Sequence, residues 1–308
     1  MIFHKIYTMH SKLDILWLSA LACNGNAHSF LNYKDIDLFL QEFDFVYHPL
    51  LPSKYKLTDI ANFKVECDIL IIEGSIEKHH KIADTYLDEV ISYYANMAKV
   101  IITLGTCASF GGIFAQYSQN ISGLHYRQKE KLNHYNSFYN KTITLSGCPV
   151  HPETLVGTLY MIRDDTKLPI DEYNRPLYYY GYLVHNGCSR NEYFEYKIDK
   201  HNFGEVEGCS FYEHGCQGTY THAPCNINLW SGVNSKTRAG QPCMGCSEPN
   251  FPATNLWETK KHMGIPAKLP YKIPKRAYLS LAGVAKTFTI ERFSKRIFES
   301  DEKKDRVD

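Results

Sequence analysis

"KVIITLGTCASFGG", residues 99–112, decides how the first half of this chain folds. From Val100 to Leu104 every side chain is apolar or β-branched, with no polar alternation. A strand of that kind is buried on both faces, as happens where helices cover both sides of a parallel sheet. The strand then runs into Gly105, Thr106 and Cys107, with Gly111 and Gly112 just beyond. Sites in open α/β sheets form outside the carboxyl ends of the strands. Cys107 therefore falls where chemistry is expected.

The same signature recurs along the chain. "LDILWLSAL" (13–21), "DFVYHPL" (44–50), "CDILIIEG" (67–74) and "TITLSG" (142–147) read as further strands. "SFLNYKDIDLFLQEF" (29–43), "IADTYLDEVISYYANMA" (82–98) and "HPETLVGTLYMIRD" (151–164) read as helices, the last with Pro152 near its first turn. Strands alternating with helices through right-handed crossovers predict an α/β fold: a flavodoxin-like, doubly wound parallel sheet. Cys23 follows the first strand, Glu73 and Gly74 end the third, Cys107 follows the fourth and Cys148 the fifth. Those three cysteines are expected on loops at one edge of the sheet. From about residue 176 periodicity fades, and Tyr, His, Asn, Gly and Cys abound. Two domains are expected, 1–175 and 176–308, the second smaller, irregular and in need of a staple such as metal clusters.

The net charge of +1 leaves no electrostatic footprint for nucleic acid or an acidic membrane. No apolar run of about 18 residues spans a bilayer. With no twin-arginine or cleavable signal visible, a cytoplasmic protein without its own transmembrane anchor is expected. In that compartment the ten cysteines, seven of them between Cys148 and Cys246, favour metal binding over disulfides.

The cysteines fall into sets. His185 with Cys188, Cys209 and Cys216 makes one imidazole and three thiolates, a donor set for zinc or a [4Fe–4S] cluster. Cys225 with the "CMGC" of 243–246 makes three thiolates, suited to [3Fe–4S], or to zinc with a ligand such as His222. Cys23, Cys107 and Cys148 form a third set, with Asn26 where a fourth thiolate fits. Cys67 precedes a buried strand without partners at ligand spacing and reads as a core residue. The tyrosines of "PLYYYGYLVH" (176–185) read as packing. Glu73 reads either as a loop cap or as a group that supports the cluster or handles protons.

At these residues the chain resembles the small, electron-transferring subunit of [NiFe] hydrogenases, from about residue 13 to 257. "WLSALACNGN", "IIEGSI", "GTCASFGGI", "SGCPVHPE", "HNGC", "GCQGTYTHAPC" and "AGQPCMGCSEPNF" are similar to the family's markers and follow its order. A complex I subunit resembles the first half only. The resemblance implies Cys23, Cys107 and Cys148 as proximal-cluster ligands, and His185, Cys188, Cys209 and Cys216 as ligands of a distal [4Fe–4S] cluster. It implies Cys225, Cys243 and Cys246 as medial ligands. Lys236 stands where relatives carry cysteine or proline, so the medial cluster is expected to be [3Fe–4S]. The spacing of Cys209 and Cys216 departs from the family pattern by one extra residue. The resemblance further implies an obligate heterodimer with the large subunit, or a higher oligomer, which holds the nickel–iron site. No catalytic residue is expected in this chain. Electrons from H2 oxidation would leave for a downstream acceptor. A hydrogen sensor with a signalling partner, and a zinc-stapled interaction protein, are the competing readings.

The family's proximal loop reads Cys-x-Gly-Cys; here it reads Cys23-Asn-Gly-Asn26. Asparagine offers a neutral carbonyl oxygen, a poor partner for iron–sulfur chemistry. Three outcomes are open at this point. Asn26 binds iron directly or through water in a [4Fe–4S] cluster, the site holds [3Fe–4S], or it holds no cluster. A neutral ligand in place of thiolate should raise the potential, as histidines do in Rieske centres.

Overall fold

The computed structural model describes residues 12–252 and a few isolated positions between 274 and 284. The chain divides into two compact units between Leu168 and Pro169.

The first unit holds one five-stranded sheet. Its strands are β1 (Leu13–Ser19), β2 (Phe43–Tyr47), β3 (Ile69–Glu73), β4 (Val100–Leu104) and β5 (Thr142–Leu145). All pairings are parallel, in the order β5-β4-β3-β1-β2. This is the doubly wound α/β arrangement expected from the continuous apolar runs. Strand order reverses beside β1, so the crevice between the carboxyl ends of β1 and β3 is the switch point where such sheets take ligands.

Successive strand side chains leave opposite faces. Leu16, Leu18, Leu70, Ile72 and Ile101 pack with Val90, Ile91 and Tyr94 of α4 (Leu87–Met97) and Ile60 of α3 (Leu57–Ala61). From the other face, Trp17 meets Phe30 of α1 (Gly25–Leu31) at 5.7 Å, and Phe30 meets Phe39 of α2 (Ile36–Glu42) at 5.5 Å. Each fully buried aliphatic or aromatic side chain stabilises by roughly 1.5–3 kcal/mol.

Local chemistry trims the expected elements. The single helix over 29–43 is two, because Asn32 closes α1: its side-chain amide donates to the His28 carbonyl at 2.9 Å. The helix over 82–98 starts only at Leu87, since Lys81–Ile82 pairs with Thr85–Tyr86 around Ala83 at φ 51°. Cys107 lies within a short helix, α5 (Gly105–Phe110), rather than on a loop. α6 (Pro152–Arg163) begins with Pro152, and His151 caps it by accepting the Glu153 N–H.

Besides the cap residue His151, His48 and His125 are buried in this unit. His48 Nδ1 accepts the N–H groups of Leu50 and Leu51 at 3.1 and 3.2 Å. His125 Nε2 lies 2.9 Å from the Thr142 hydroxyl. Burial lowers both to about 4 from 6.5. The folded state therefore resists a proton that the unfolded chain accepts below pH 6.5. Their stabilisation is complete above 6.5 and lost as pH falls towards 4. At pH 5 the loss should be on the order of 2 kcal/mol per histidine. Urea unfolding at pH 8 and pH 5 checks this, and equal midpoints in wild type and a His125→Gln variant would contradict it.

The second unit has little regular structure: α7 (Leu177–Tyr180), α8 (Asn191–Glu195), α9 (Phe211–His214) and isolated bridges such as Leu183–His222. Buried polar ties replace a sheet. Arg175, with a side chain 3% exposed, donates to Asp171 at 2.8 Å, to the Ser247 carbonyl at 3.0 Å and to Glu248 at 3.4 Å. Tyr179 and Tyr180 are buried, whereas Tyr178 and Tyr182 are exposed, so only part of that tyrosine run is packing.

Candidate metal centres

In the first unit the cysteines of one set follow the carboxyl ends of three strands. Cys23 follows β1, Cys107 lies on α5 after β4, and Cys148 follows β5. Cys23 and Cys148 are exposed and Cys107 is half-buried. Burial pushes the Cys107 thiol up, while hydrogen bonds from Ser75 and the Ile113 backbone oppose that, and Cys23 and Glu73 are among its charged neighbours. Gly112 lets the chain pass close by: a Cβ there would stand 2.5 Å from the Cys107 sulfur, at φ 54°.

Glu73 ends β3 and is 1% exposed. Its carboxylate accepts the Trp17 indole N–H at 3.0 Å and the Asn26 backbone N–H at 2.9 Å. It thereby fixes the loop after β1. The Asn26 side chain is also engaged. Its amide nitrogen donates to Glu73 at 3.3 Å and to the Leu104 carbonyl at 3.4 Å, and its oxygen accepts the Val150 N–H at 2.9 Å.

In the second unit, His185, Cys188, Cys209 and Cys216 line one pocket. Phe194 and Phe211 wall it, Phe194 standing 4.6 Å from His185 and 5.1 Å from Phe211, ring centre to ring centre. Burial, followed by the charge of Lys197, lowers His185 to about 4, so its imidazole is neutral and a competent donor. Burial raises Cys209 and Cys216 to about 12. A bound cation reverses this, because coordination deprotonates a thiol outright.

Arg190 holds the pocket's outer loops. Its guanidinium donates to Thr237, Gly208 and Glu205 carbonyls at 2.9, 2.8 and 2.5 Å. Its backbone N–H donates to the Cys188 sulfur at 3.4 Å. Lys200 is fully buried and donates to the Gly240 carbonyl. Burial lowers Lys197 and Lys200, and the charge of Cys209 acts on both in the opposite sense. Sequence reading missed these cations. Arg190 has a signal, two residues after a ligand candidate, whereas Lys200 has none.

The third set adjoins the second. Cys225, Cys243 and Cys246 are mutual neighbours, and burial followed by the charges of the other two pushes the Cys225 thiol up. The Cys243 N–H donates to the Cys216 sulfur at 3.2 Å, and the Gln217 N–H donates to the Cys243 carbonyl at 2.8 Å. Lys236 is on the surface with its ammonium 3.0 Å from the Met244 sulfur, between the two cysteines of "CMGC". His222 is bonded to Glu248, by its backbone N–H at 2.6 Å and its Nδ1 at 3.1 Å. Cys67 is buried in the core among Val65, Leu70 and Tyr94.

Among the described residues, no group of three or more His, Cys, Asp or Glu is arranged around a single metal ion. The distal four instead border a space. Soft thiolate donors surrounding a space fit a multi-iron cage better than one tetrahedral zinc.

Two family profiles match the chain. A family profile described as NADH ubiquinone oxidoreductase, 20 Kd subunit, matches residues 23–162. A second profile, for the C-terminal part of the NiFe/NiFeSe hydrogenase small subunit, matches 180–257. The periplasmic [NiFe] hydrogenase small subunit 1 of Nitratidesulfovibrio vulgaris is 31% identical over 267 residues, covering 80% of each chain. The F420 non-reducing hydrogenase I small subunit of Methanosarcina mazei is 27% identical, covering 92% of this chain and 86% of its own. Among solved structures, the Ni-Fe-Se hydrogenase of Desulfomicrobium baculatum matches with a TM-score of 0.67 at 23% identity, over 81% of this chain and 100% of that one. The actinobacterial-type NiFe-hydrogenase of Ralstonia eutropha H16 matches with a TM-score of 0.69 at 21% identity, over 94% of this chain and 95% of that one.

Proposed function

Because the chain belongs to the [NiFe] hydrogenase small-subunit family, we propose that it relays electrons during H2 oxidation through proximal, medial and distal iron–sulfur clusters. The observation that carries this is the single pocket lined by His185, Cys188, Cys209 and Cys216, next to a second cysteine set. Clusters bound at these sites would supply one-electron transfer. Cys188, Cys209 and Cys216 would hold the distal [4Fe–4S] cluster with His185. Cys225, Cys243 and Cys246 would hold the medial cluster. Lys236 supplies no thiolate, which supports [3Fe–4S] there. Cys23, Cys107 and Cys148 would hold the proximal one.

The residues themselves set the conditions for transfer. Phe194 and Phe211 give the distal pocket an apolar wall. Arg190, Lys197 and Lys200 place positive charge around it, which favours the reduced cluster and raises the potential. The Cys216–Cys243 backbone contacts join the distal and medial sets directly.

The partner we propose is the hydrogenase large subunit. Ile113, Phe114 and Tyr117 are exposed just after Cys107, an apolar surface suited to an obligate interface. The second unit would act as the cluster domain beyond the flavodoxin-like one. Among the described residues no helix is long and apolar enough to cross a membrane. A cytoplasmic placement is proposed with it.

Iron and acid-labile sulfide on the anaerobically co-purified heterodimer test the reading. About ten or eleven cluster irons per heterodimer, beyond the one iron of the nickel–iron site, and a brown visible spectrum are expected. A colourless protein holding zinc would overturn it. Turnover with an artificial acceptor separates an uptake enzyme, with fast turnover, from a sensor.

A further inference from the structure

The Asn26 side chain is a two-ended clamp. Its oxygen meets a donor, the Val150 N–H, and its nitrogen meets two acceptors, the Glu73 carboxylate and the Leu104 carbonyl. These partners fix which end is oxygen and which is nitrogen. They lie on three different segments: the end of β3, the end of β4 and the loop before α6. The backbone around the amide is shaped for it. Gly105, at φ 88°, faces the amide so closely that a Cβ would stand 2.4 Å from the Asn26 nitrogen. Aspartate cannot replace this pattern, because its second oxygen would face the Glu73 carboxylate and the Leu104 carbonyl. Cysteine cannot bridge a donor and two acceptors either.

Asparagine at this position is thus accounted for by what it ties together. Resting on the cluster reading above, the geometry points to a proximal site with three protein thiolates, Cys23, Cys107 and Cys148, in which Asn26 positions the loops and does not ligate iron. Any fourth iron held there has no protein ligand. It is exchangeable, and its outer position is open to water or to a small exogenous thiolate.

The test uses the anaerobic heterodimer. Ferricyanide with a chelator should release one ferrous ion per heterodimer, with one electron passing to ferricyanide for each iron lost. Ferrous ⁵⁷Fe with a reductant should restore one labelled iron. Its Mössbauer signal should shift when 2-mercaptoethanol is added. In Asn26→Cys, which supplies a fourth thiolate, release and labelling should fall to near zero. If that variant fails to assemble, the wild-type label decides alone. A full iron complement with no release, a label indifferent to mercaptoethanol, or release that persists in an assembled Asn26→Cys would overturn the inference and leave the relay intact. About seven cluster irons in wild type, beyond the one of the nickel–iron site, would instead mean that no proximal cluster is bound, overturning the cluster reading of this site and the inference with it.

Discussion

Serine at Cys209 should remove about four of the roughly eleven cluster irons in the heterodimer. Electron transfer to an external acceptor should fall at least about a hundredfold, since loss of even a supporting contact at a metal site costs 10–100-fold. The reasoning is local. Cys209 is one of the four donors lining the distal pocket, with Phe211 packed beside it. A hydroxyl there is a hard, protonated donor that cannot replace a thiolate on iron. Cys67→Ala is the matching control. It removes a buried cysteine from the sheet core, so the iron content should stay at the wild-type value. Iron analysis and stopped-flow reduction of an artificial acceptor measure both effects. A Cys209→Ser protein with unchanged iron would remove this residue from the ligand set.

Methionine at Arg175 should destabilise the second unit by about 3–5 kcal/mol, the cost of leaving buried charges without their partner. The guanidinium is wrapped by Asp171 and Glu248 and also stacks within 5.3 Å of Tyr173 and 5.2 Å of Tyr180. Methionine keeps part of the apolar contact but leaves two carboxylates facing each other. Glu248 further holds the His222 backbone and ring, so the loss spreads to the segment that leads into Cys225. The shift in the urea midpoint of the purified protein reports the effect. A change below about 1 kcal/mol, the range of a surface pair, would show that the network contributes only shape.

The sheet was legible because its central strands are short runs with no polar alternation, such as Ile69 to Ile72 and Val100 to Leu104. A run of that kind has only one comfortable place, between two helical layers. Element ends were less legible, since they depend on single contacts such as the Asn32 side chain bonding the His28 carbonyl. The distal set was legible through spacing, and the structure draws its four members to one pocket. Asn26 stood out in the sequence as a missing thiolate, but its partners did not. Glu73, Leu104 and Val150 lie 47, 78 and 124 residues away, and no local pattern announces them. Lys200 shows the same limit: nothing around it in the sequence says that its ammonium will be buried against Gly240.

The backbone hydrogen bonds between the Cys216 and Cys243 loops bear on how the protein matures. The loop that presents one set of thiols is held by the backbone of the other, through the Cys243 N–H and the Gln217 N–H. Neither loop reaches its final course while its counterpart is unformed. Filling of the two sites is therefore coupled, and iron-starved preparations should sort into loaded and empty molecules, with few half-loaded ones.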